Sequence, residues 1–286
     1  MSRPAVDVVV PFAGSDAALS ALQARLGALE LRAGDSLVVV DNRPGAPDAG
    51  DHVIGAGAKQ SSYYARNRGA ERGSSAWLLF LDGDVNPPAD LIDRYFDTEP
   101  GDRAGVVAGG MVDAPLTGAP TRAERYAVEA EQMSQENTLR AGPWSYAQTA
   151  NTLVRREAFA QVGGFEEGIR SGGDADLCFR LRVAGWELES RPQATVVHEN
   201  RAGTKSFLRQ KARHGSGIAW LNRRYPGSFP PRDRVSYAKW FLRELAAAAR
   251  TTASGNPGAA ADSFFPVLVI GAFELGRLLP NRGRGG

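Results

Sequence analysis

The stretch Trp77-Leu78-Leu79-Phe80-Leu81-Asp82-Gly83-Asp84 joins five apolar residues directly to a pair of carboxylates. A continuous apolar run of this length is typical of a strand that is buried on both faces of a parallel sheet. In open α/β sheets, ligands bind beyond the carboxyl ends of the strands. The stretch therefore predicts a buried strand over residues 77–81, with Asp82 and Asp84 at the edge where a ligand would bind.

Two earlier apolar runs end in a similar way. Val6–Val10 is followed by Pro11, and Ser36–Val40 is followed by Asp41 and Asn42. Segments with helical periodicity lie between the runs. This alternation predicts an α/β fold with a mostly parallel central sheet, helices on both faces and a ligand site at one edge.

The middle of the chain is less regular than its beginning. Its pattern predicts a strand over Gly105–Val112, one polar helix over Thr121–Asn137 and extended chain over Ser145–Val154. Asp174 favours the start of a further helix, because aspartate is common at N-caps and in first turns. Trp186–His198 is predicted to hold a strand or two.

The last part of the chain, from Lys205, is helical and basic. A later helix there has a set of apolar residues on one face: Val235, Ala238, Phe241, Leu242, Leu245 and Ala249. These helices could cover an acceptor site, form a homodimer or lie on a membrane surface, and packing against the same domain is the simpler alternative. The sequence predicts residues 1–203 as a ligand-binding domain and residues 204–286 as a C-terminal helical extension.

Composition limits the classes of protein that the chain can belong to. It has 286 residues, 43% hydrophobic and 23% charged, as in ordinary globular proteins. Lys and Arg number 34 against 32 Asp and Glu, and this near balance argues against a nucleic-acid partner. The single cysteine, Cys178, excludes an internal disulfide framework and a multi-cysteine zinc site. Because there are only 3 histidines, a metal would be bound mainly by carboxylates.

The sequence also carries expectations about location. Its beginning has no signal-peptide pattern, and no apolar stretch reaches the roughly 20 residues that span a bilayer. The nearest is Phe264–Phe273, which contains Pro266 and is followed by Glu274. We expect a cytoplasmic protein, with peripheral contact at the inner face of the plasma membrane as an open alternative.

Asp82 and Asp84 are the strongest sign of chemistry in the sequence. Two carboxylates separated by one residue can share a divalent cation and a ribose hydroxyl, and Mg²⁺ and Mn²⁺ prefer such oxygen ligands. A simple polar turn is the alternative for an Asp-Gly-Asp segment. Because the preceding apolar strand directs the pair to the ligand edge, we favour a cation site.

Three further segments carry candidate side chains. Arg66 could approach a pyrophosphate or a base. Asp174 and Asp176 lie at the start of a predicted helix, where a carboxylate near an acceptor hydroxyl could act as a general base and helix capping is the simpler alternative. His198 follows a strand, and a neutral imidazole there could complete a mixed oxygen and nitrogen metal site.

Taken in order, these segments resemble the inverting family 2 glycosyltransferases of the nucleotide-diphosphosugar type, which have the GT-A, Rossmann-like fold. Each motif is weak to moderate alone, whereas the ordered set is specific, and the resemblance covers about residues 5–200. The matching segments are Val8-Val9-Val10-Pro11, Val38-Val39-Val40-Asp41-Asn42, Ala65-Arg66-Asn67-Arg68-Gly69, Leu79-Phe80-Leu81-Asp82-Gly83-Asp84, Gly163-Gly164-Phe165 and Gly173-Asp174-Ala175-Asp176-Leu177.

The resemblance implies a nucleotide-sugar site in residues 1–203, which would then be a catalytic domain. Asp41 looks like the nucleobase-binding carboxylate of the family, and Arg66 looks like its nucleotide-contacting arginine. The other residues that this resemblance places in the nucleotide-sugar site are Pro11, Phe12, Asp82 and Gly83.

The resemblance also implies a divalent cation, Mn²⁺ or Mg²⁺. Asp84 looks like its direct ligand, and Asp82 and His198 look like residues that complete the metal site. The implied donor is a nucleoside-diphosphate sugar linked to UDP, GDP or dTDP. The implied acceptor carries a free hydroxyl, as a polysaccharide, a glycolipid or a natural product does.

The catalytic base is the least settled of the implied assignments. Asp174 matches the aspartate that takes the proton from the acceptor hydroxyl, and Asp176 is a nearby carboxylate of the acceptor site. Members of the family often have Glu directly before the base, whereas this chain has Gly173. The choice between Asp174 and Asp176 therefore stays open from the sequence.

Two other classes stay open at this point. A sugar-1-phosphate nucleotidylyltransferase would share the sheet, but its first strand should lead into a glycine-rich basic loop, and Phe12–Asp16 has no basic residue. A catalytically silent nucleotide-sugar-binding or assembly protein would keep the fold alone. The joint presence of the candidate aspartates and His198 argues against this second class.

Overall fold

The computed structural model describes residues 3–50, 52–131, 133–200, 202–231, 233–253 and 257–283. Its strands are β1 (Val6–Phe12), β2 (Ser36–Asp41), β3 (Val53–Gly55), β4 (Trp77–Leu81), β5 (Val85–Asn86), β6 (Ala104–Asp113), β7 (Asn151–Arg155) and β8 (Glu187–His198). Its helices are α1 (Asp16–Leu26), α2 (Ser62–Ala70), α3 (Leu91–Tyr95), α4 (Arg122–Glu129), α5 (Gln135–Leu139), α6 (Arg156–Gln161), α7 (Gly173–Val183), α8 (Thr204–Arg224), α9 (Arg234–Ala253) and α10 (Pro257–Arg277). A short 3₁₀ helix spans Gly142–Trp144.

Local sequence signals account for several element boundaries. The Ser15 hydroxyl caps α1 by accepting a hydrogen bond from the backbone N–H of Ala18. Thr121 and Glu124 form a reciprocal capping box at the start of α4. The loop enters α7 through Gly172, whose φ of 89° lies in the left-handed region that favours glycine. The residues at the N-termini of α1, α4 and α7 therefore determine where these helices begin.

The eight strands form one mixed sheet in the order β3-β2-β1-β4-β7-β6-β8-β5. β1 lies parallel to β2 and β4, and β3 lies parallel to β2. β7 is antiparallel to β4 and β6, whereas β8 is parallel to β6 and antiparallel to β5. The predicted α/β fold is confirmed, and its parallel pairing is uninterrupted from β3 to β4.

Helices cover both faces of the parallel half of this sheet. Val8 and Val10 of β1 belong to a buried cluster with Leu22 of α1. On the other face, a Cβ atom added at Gly69 of α2 would lie 2.3 Å from the side chain of Val9. The alternation of β1 side chains thus places α1 and α2 on opposite faces.

Two predicted elements differ from the structure. The single helix predicted over Thr121–Asn137 is wrong, because the chain forms the separate helices α4 and α5. Between them Glu131 has a φ of 44°, and the Ser134 hydroxyl caps α5 anew. The extended chain predicted from Ser145 becomes a strand only at Asn151.

The chain divides into two compact units. The first contains the described residues of 1–114, 133–199 and 282–286, and it includes the whole sheet. The second contains the described residues of 115–132 and 200–281, which form α4, α8, α9 and α10. The segment 115–132, part of residues 1–203 in the sequence analysis, therefore lies with the helices.

The helical unit has its own core. Tyr126 of α4 meets the rings of Phe207 in α8 and Phe265 in α10 edge to face, at centroid distances of 6.0 and 5.6 Å. Glycines allow α8 and α10 to approach closely, since a Cβ atom at Gly215 or Gly276 would lie 1.9 Å from a carbonyl oxygen of the other helix. Among the described helices, none combines the length and the apolar character needed to cross a membrane.

Candidate functional site

The structure brings two of the predicted metal ligands together. Asp84 lies just before β5, and β5 pairs with β8 so that Val85 is opposite His198. Through this pairing His198 Nε2 lies 3.8 Å from Asp84 Oδ1. Residues more than 100 positions apart in the chain therefore meet at the edge of the sheet that the strand pattern indicates.

This pair suits a divalent cation by distance and by donor type. Mg²⁺–oxygen bonds are about 2.0–2.1 Å long, so two ligands of one ion can be up to about 4 Å apart. Carboxylate oxygen suits Mg²⁺ and Mn²⁺, and imidazole nitrogen binds many divalent metals. Within the part of the chain that the structure describes, no group of three or more His, Cys, Asp or Glu is gathered around one point. Asp84 and His198 could hold an ion whose remaining ligands are waters or phosphate oxygens.

Asp113 approaches the other nitrogen of His198. Its Oδ1 lies 3.6 Å from His198 Nδ1, because Asp113 of β6 is opposite His198 in the β6–β8 ladder. A register shift after Gly109 creates this alignment: Gly109 pairs with Arg191, but Gly110 pairs with Thr195. Asp113 was not among the candidate residues expected from the sequence, although a carboxylate directly after a predicted strand is the same signal that pointed to Asp82.

Asp82 has a different partner from Asp84. Its carboxylate accepts a hydrogen bond from Nη2 of Arg66, which is 3% exposed. The Arg66 guanidinium lies 5.8 Å from the ring centroid of Tyr63 and 5.7 Å from that of Phe165. The two carboxylates predicted to share one cation thus have an arginine and a histidine as separate partners.

Asp174 lies near the charged groups of Arg66 and Asp82. The Thr149 hydroxyl donates a hydrogen bond to Asp174 Oδ1 at 2.7 Å. Burial raises the pKa of Asp174 above its usual range, while the positive charge of Arg66 and the bond from Thr149 oppose this shift. The negative charge of Asp82 adds to the rise in the pKa. A carboxyl group with a raised pKa is a better proton acceptor once ionised.

Asp176 is tied into the protein interior. It is fully buried, and its Oδ2 accepts a hydrogen bond from Nε of Arg180 at 2.9 Å. Arg180 in turn donates to the carbonyl oxygen of Val162 at 2.7 Å. Asp176 therefore joins α7 to the chain after α6, whereas Asp174 keeps partial exposure.

Gly173 is required by its neighbour in α2. A Cβ atom at this position would lie 2.6 Å from the ring of Tyr63, far inside van der Waals contact. The ring of Tyr63 also stacks on Phe165, at a centroid distance of 5.6 Å. Tyr63 thus occupies the space that a glutamate side chain before Asp174 would need. This explains why the chain has Gly173 where members of the family that it resembles often have Glu.

Asp41 is placed at the end of β2, opposite Phe12 of β1. It is 2% exposed, and Arg43 donates hydrogen bonds to both of its carboxylate oxygens, at distances from 2.6 to 3.0 Å. Burial alone would raise the pKa of Asp41, but the bonds from Arg43 outweigh it and lower the pKa. The guanidinium of Arg43 also lies 5.7 Å from the Phe12 ring centroid. Arg43 was not among the candidate residues expected from the sequence.

Pro11 and Gly83 meet where β1 and β4 end. A Cβ atom at Gly83 would lie 3.5 Å from the Pro11 carbonyl oxygen, an ordinary contact. The Gly83 carbonyl oxygen accepts a hydrogen bond from Nη2 of Arg25 in α1 at 2.6 Å. The turn between Asp82 and Asp84 is therefore held by α1.

Asn67 fixes the glycine-rich loop before α7. Its side-chain amide donates to the Phe165 carbonyl oxygen and accepts from the Phe165 N–H, both at 2.9 Å. These two hydrogen bonds fix the position of Phe165, whose ring lies beside the guanidinium of Arg66. Cys178 of α7 is buried, and burial raises its pKa to about 12.

Comparisons with known proteins agree on one family. The profile of the glycosyl transferase family group 2 matches residues 77–269. The pre-mycofactocin glycosyltransferase of Mycobacterium tuberculosis is 29% identical over 241 residues, which cover 79% of this chain and 49% of that protein. The glycosyltransferase AglE of Haloferax volcanii is 33% identical over 159 residues, covering 56% of this chain and 51% of AglE. The chain spans about half the length of these curated relatives.

Solved structures show the same fold at low sequence identity. The mannosyltransferase PcManGT from Pyrobaculum calidifontis, in complex with GDP-Man and Mn²⁺, is 17% identical with a TM-score of 0.60, over 97% of this chain and 88% of that one. The glucosyl-3-phosphoglycerate synthase of Mycobacterium tuberculosis, in complex with Mn²⁺, UDP-Glc and glycerol 3-phosphate, is 16% identical with a TM-score of 0.53, over 81% and 82% of the two chains.

Proposed function

Because the chain belongs to the glycosyl transferase family group 2, we propose that it transfers a sugar from a nucleoside-diphosphate sugar to an acceptor hydroxyl. The proposed reaction proceeds with inversion at the anomeric carbon and depends on a divalent cation. The solved structures with the same fold contain GDP-Man or UDP-Glc together with Mn²⁺, which supports this class of donor.

One observation carries the proposal. The charges of Arg66 and Asp82 both act on the carboxyl group of Asp174, and only Gly83 separates Asp82 from Asp84 in the turn after β4. A carboxylate that can take a proton is thus close to an arginine that can bind phosphate. Glycosyl transfer needs this combination, because the acceptor must lose a proton while the nucleotide leaves with its diphosphate.

The donor would bind along the carboxyl ends of β1, β2 and β4. Asp41 and Arg43 would contact the nucleoside, with the ring of Phe12 beside them. Arg66 would move its bond from Asp82 to a phosphate oxygen of the donor, since both partners are oxyanions. The buried position of Arg66 between two aromatic rings limits the directions in which its guanidinium can point.

Asp84 and His198 would hold the cation. When bound, a divalent cation there would neutralise charge on the diphosphate as it leaves. Asp113 would accept a hydrogen bond from Nδ1 of His198, which leaves Nε2 unprotonated and directed towards Asp84. This arrangement fixes the tautomer and the ring orientation of the histidine.

Asp174 would be the base. It would take the proton of the acceptor hydroxyl as that oxygen attacks the anomeric carbon from the face opposite the nucleotide. Asp176 would position α7 through Arg180, since its carboxylate is fully buried. A single displacement of this kind forms one C–O bond and breaks one, and inverts the anomeric carbon.

The first test compares Asp174→Asn with the unchanged chain. Nucleoside-diphosphate sugars are first screened by thermal shift with and without Mn²⁺, and release of the nucleoside diphosphate from the best donor is then measured. We expect the variant to bind the donor as before and to release nucleotide about 10²–10⁴-fold more slowly, the usual contribution of a general base.

Asp102→Asn, which changes an exposed aspartate elsewhere in the first unit, is the matched control and should keep the full rate. A full rate in Asp174→Asn would remove Asp174 as the base. If a donor shifts the melting temperature of the unchanged chain but no nucleoside diphosphate is released, the catalytically silent binding or assembly protein becomes the better description.

The second test concerns the cation site. Asp84→Ala should abolish the part of nucleotide binding that depends on Mn²⁺, because only one of the two proposed ligands remains. Isothermal titration of nucleoside diphosphate with and without Mn²⁺ measures this difference without turnover. Equal Mn²⁺ dependence in Asp84→Ala and in the unchanged chain would contradict the assignment of the site.

A further inference from the structure

Helix α9 has two faces that differ in their surroundings. Ala248 is buried, and the hydroxyl of Thr251 lies 3.3 Å from that of Ser263 in α10. Tyr237, Trp240 and Glu244 are partly buried, and at 100° per residue they lie on the same side of the helix as Ala248. This side of α9 therefore packs against α10.

The opposite side of α9 is apolar and exposed. Val235 is 60% exposed, Leu242 63% and Leu245 43%, and Ala238 and Ala249 of the same stripe are exposed as well. These five residues, called the α9 face below, follow one another at helical spacing. Their exposure leaves an apolar surface in contact with water, although apolar side chains gain stability only when water is removed from them.

Basic side chains border the α9 face along one edge. Lys239, Arg243 and Arg250 are all exposed, and the helical angle places them between the α9 face and the side packed against α10. The sole acidic residue of α9, Glu244, belongs to the packed side. Arg243 pairs with this residue, since its Nη2 lies 3.0 Å from Glu244 Oε1. Lys239 and Arg250 therefore supply the net positive charge beside the apolar stripe.

The charge pattern distinguishes between possible occupants of the α9 face. A second copy of the chain that paired α9 with α9 would bring like charges together, which is destabilising. Helix α8 offers no compensation, because it carries Lys205, Arg209, Lys211, Arg213, Arg223 and Arg224 and no Asp or Glu. A surface that is both apolar and anionic matches the pattern, and a bilayer containing anionic lipids is such a surface.

We propose that the α9 face binds the surface of an anionic lipid bilayer, with α9 lying in the plane of the interface. Its 20 residues give the helix a length of about 30 Å. The apolar residues would enter the boundary between headgroups and acyl chains, and Lys239 and Arg250 would reach lipid phosphates. The proposal is independent of glycosyl transfer, since none of these residues belongs to the donor site.

The α9 face is a better candidate than the exposed apolar residues of α10. Leu268 and Leu275 are also exposed, but α10 contains Asp262 and Glu274 and has Arg277 as its sole Lys or Arg. Acidic groups beside an apolar stripe would be repelled by anionic lipid. The basic border is therefore the observation that selects α9.

Flotation of the full chain with vesicles tests the proposal. The chain should float with vesicles of phosphatidylcholine and phosphatidylglycerol at low salt, and binding should fall at least tenfold with phosphatidylcholine alone or in 0.5 M salt. Leu242→Glu combined with Leu245→Glu should lower binding at least tenfold. Val183→Glu is the matched control, because Val183 is an apolar residue with 88% exposure in α7, and it should bind as the unchanged chain does.

A second set of variants tests the charge separately. Replacing Lys239 and Arg250 by Gln should remove the preference for anionic vesicles, and circular dichroism checks that these exposed changes leave the helices folded. Absence of flotation by the unchanged chain, or equal flotation by the Leu242 and Leu245 variant, would overturn the proposal. A stable dimer detected by light scattering would also overturn the proposal if Leu242→Glu dissociated it.

Discussion

At the scale of single residues, the burial of Asp174 destabilises its charged form, while its raised pKa suits the proposed role of general base. Burial makes its charged form unfavourable and raises its pKa, and Asp82 adds to this effect. Arg66 and Thr149 oppose the shift without cancelling it. The native protein therefore holds a proton on Asp174 at pH values where the unfolded chain has lost it.

The pH dependence of stability should report this difference. Because the folded pKa is raised above the ordinary value of 3.8, Asp174 lowers the free energy of unfolding as pH rises from about that value to the folded pKa. Asp174→Asn has no charge to bury, so its stability relative to the unchanged chain should increase across the same interval and then stay constant. Urea unfolding at a series of pH values between 3.5 and 8 measures the difference.

Asp102→Asn serves again as the comparison, since Asp102 is exposed. Its effect on the free energy of unfolding should be small and nearly constant over the series. If the advantage of Asp174→Asn decreases with rising pH instead, the pKa of Asp174 is lowered in the folded protein and the assigned surroundings are wrong.

At the scale of elements, the start of α7 is positioned by α2. Tyr63 of α2 fills the space over Gly173, and Asn67, one turn further along the same helix, binds both backbone groups of Phe165. The same helix carries Arg66. One helix therefore sets the distance between Arg66, the arginine proposed to bind phosphate, and the proposed base.

Gly173→Ala tests this contact directly. The added methyl group would overlap the Tyr63 ring, and overpacking of this kind costs about 1–3 kcal/mol of unfolding free energy. Tyr63→Leu should relieve part of the overlap, so the double variant should be more stable than the sum of the single effects predicts. Urea unfolding of the three variants gives the coupling energy.

Gly271→Ala in α10 is the matched control. A Cβ atom there has no neighbour within 4 Å, so the change should be neutral or stabilise the helix by up to about 1 kcal/mol. Additive effects of Gly173→Ala and Tyr63→Leu would show that the two residues are not in contact.

At the scale of the whole molecule, the two units are not consecutive pieces of chain. The helical unit takes α4 from the middle of the sequence and α8 to α10 from its end. Ala123, Tyr126 and Ala127 of α4 pack on Phe207 and Phe265. The sequence boundary at residue 203 therefore separates α4 from the helices that bury it.

A chain ending at residue 203 should reveal this dependence. Its α4 would expose apolar side chains, and we expect lower soluble yield and stronger binding of the dye ANS than for the full chain. Replacing residues 115–132 of the shortened chain by a flexible Gly-Ser linker should reverse both effects. Equal dye binding by the shortened chain with and without residues 115–132 would contradict the assignment of α4 to the helical unit.

The sequence by itself determined the parts of this protein that depend on local order. The apolar runs of β1, β2 and β4 indicated a parallel sheet, and the residues that follow them indicated the edge where Asp41, Asp82 and Asp84 lie. Strand periodicity and helix caps act between residues close in the chain, so a single sequence contains them.

The tertiary structure alone decided which side chains meet. The pairing of Asp82 with Arg66, the contact of His198 with both Asp84 and Asp113, and the partnership of Asp176 with Arg180 all depend on packing or strand register. Register is set by the whole sheet, including the shift after Gly109, and has no local signature. The exposure of the α9 face was likewise hidden, because an amphipathic pattern states that a helix has an apolar side but not what covers it.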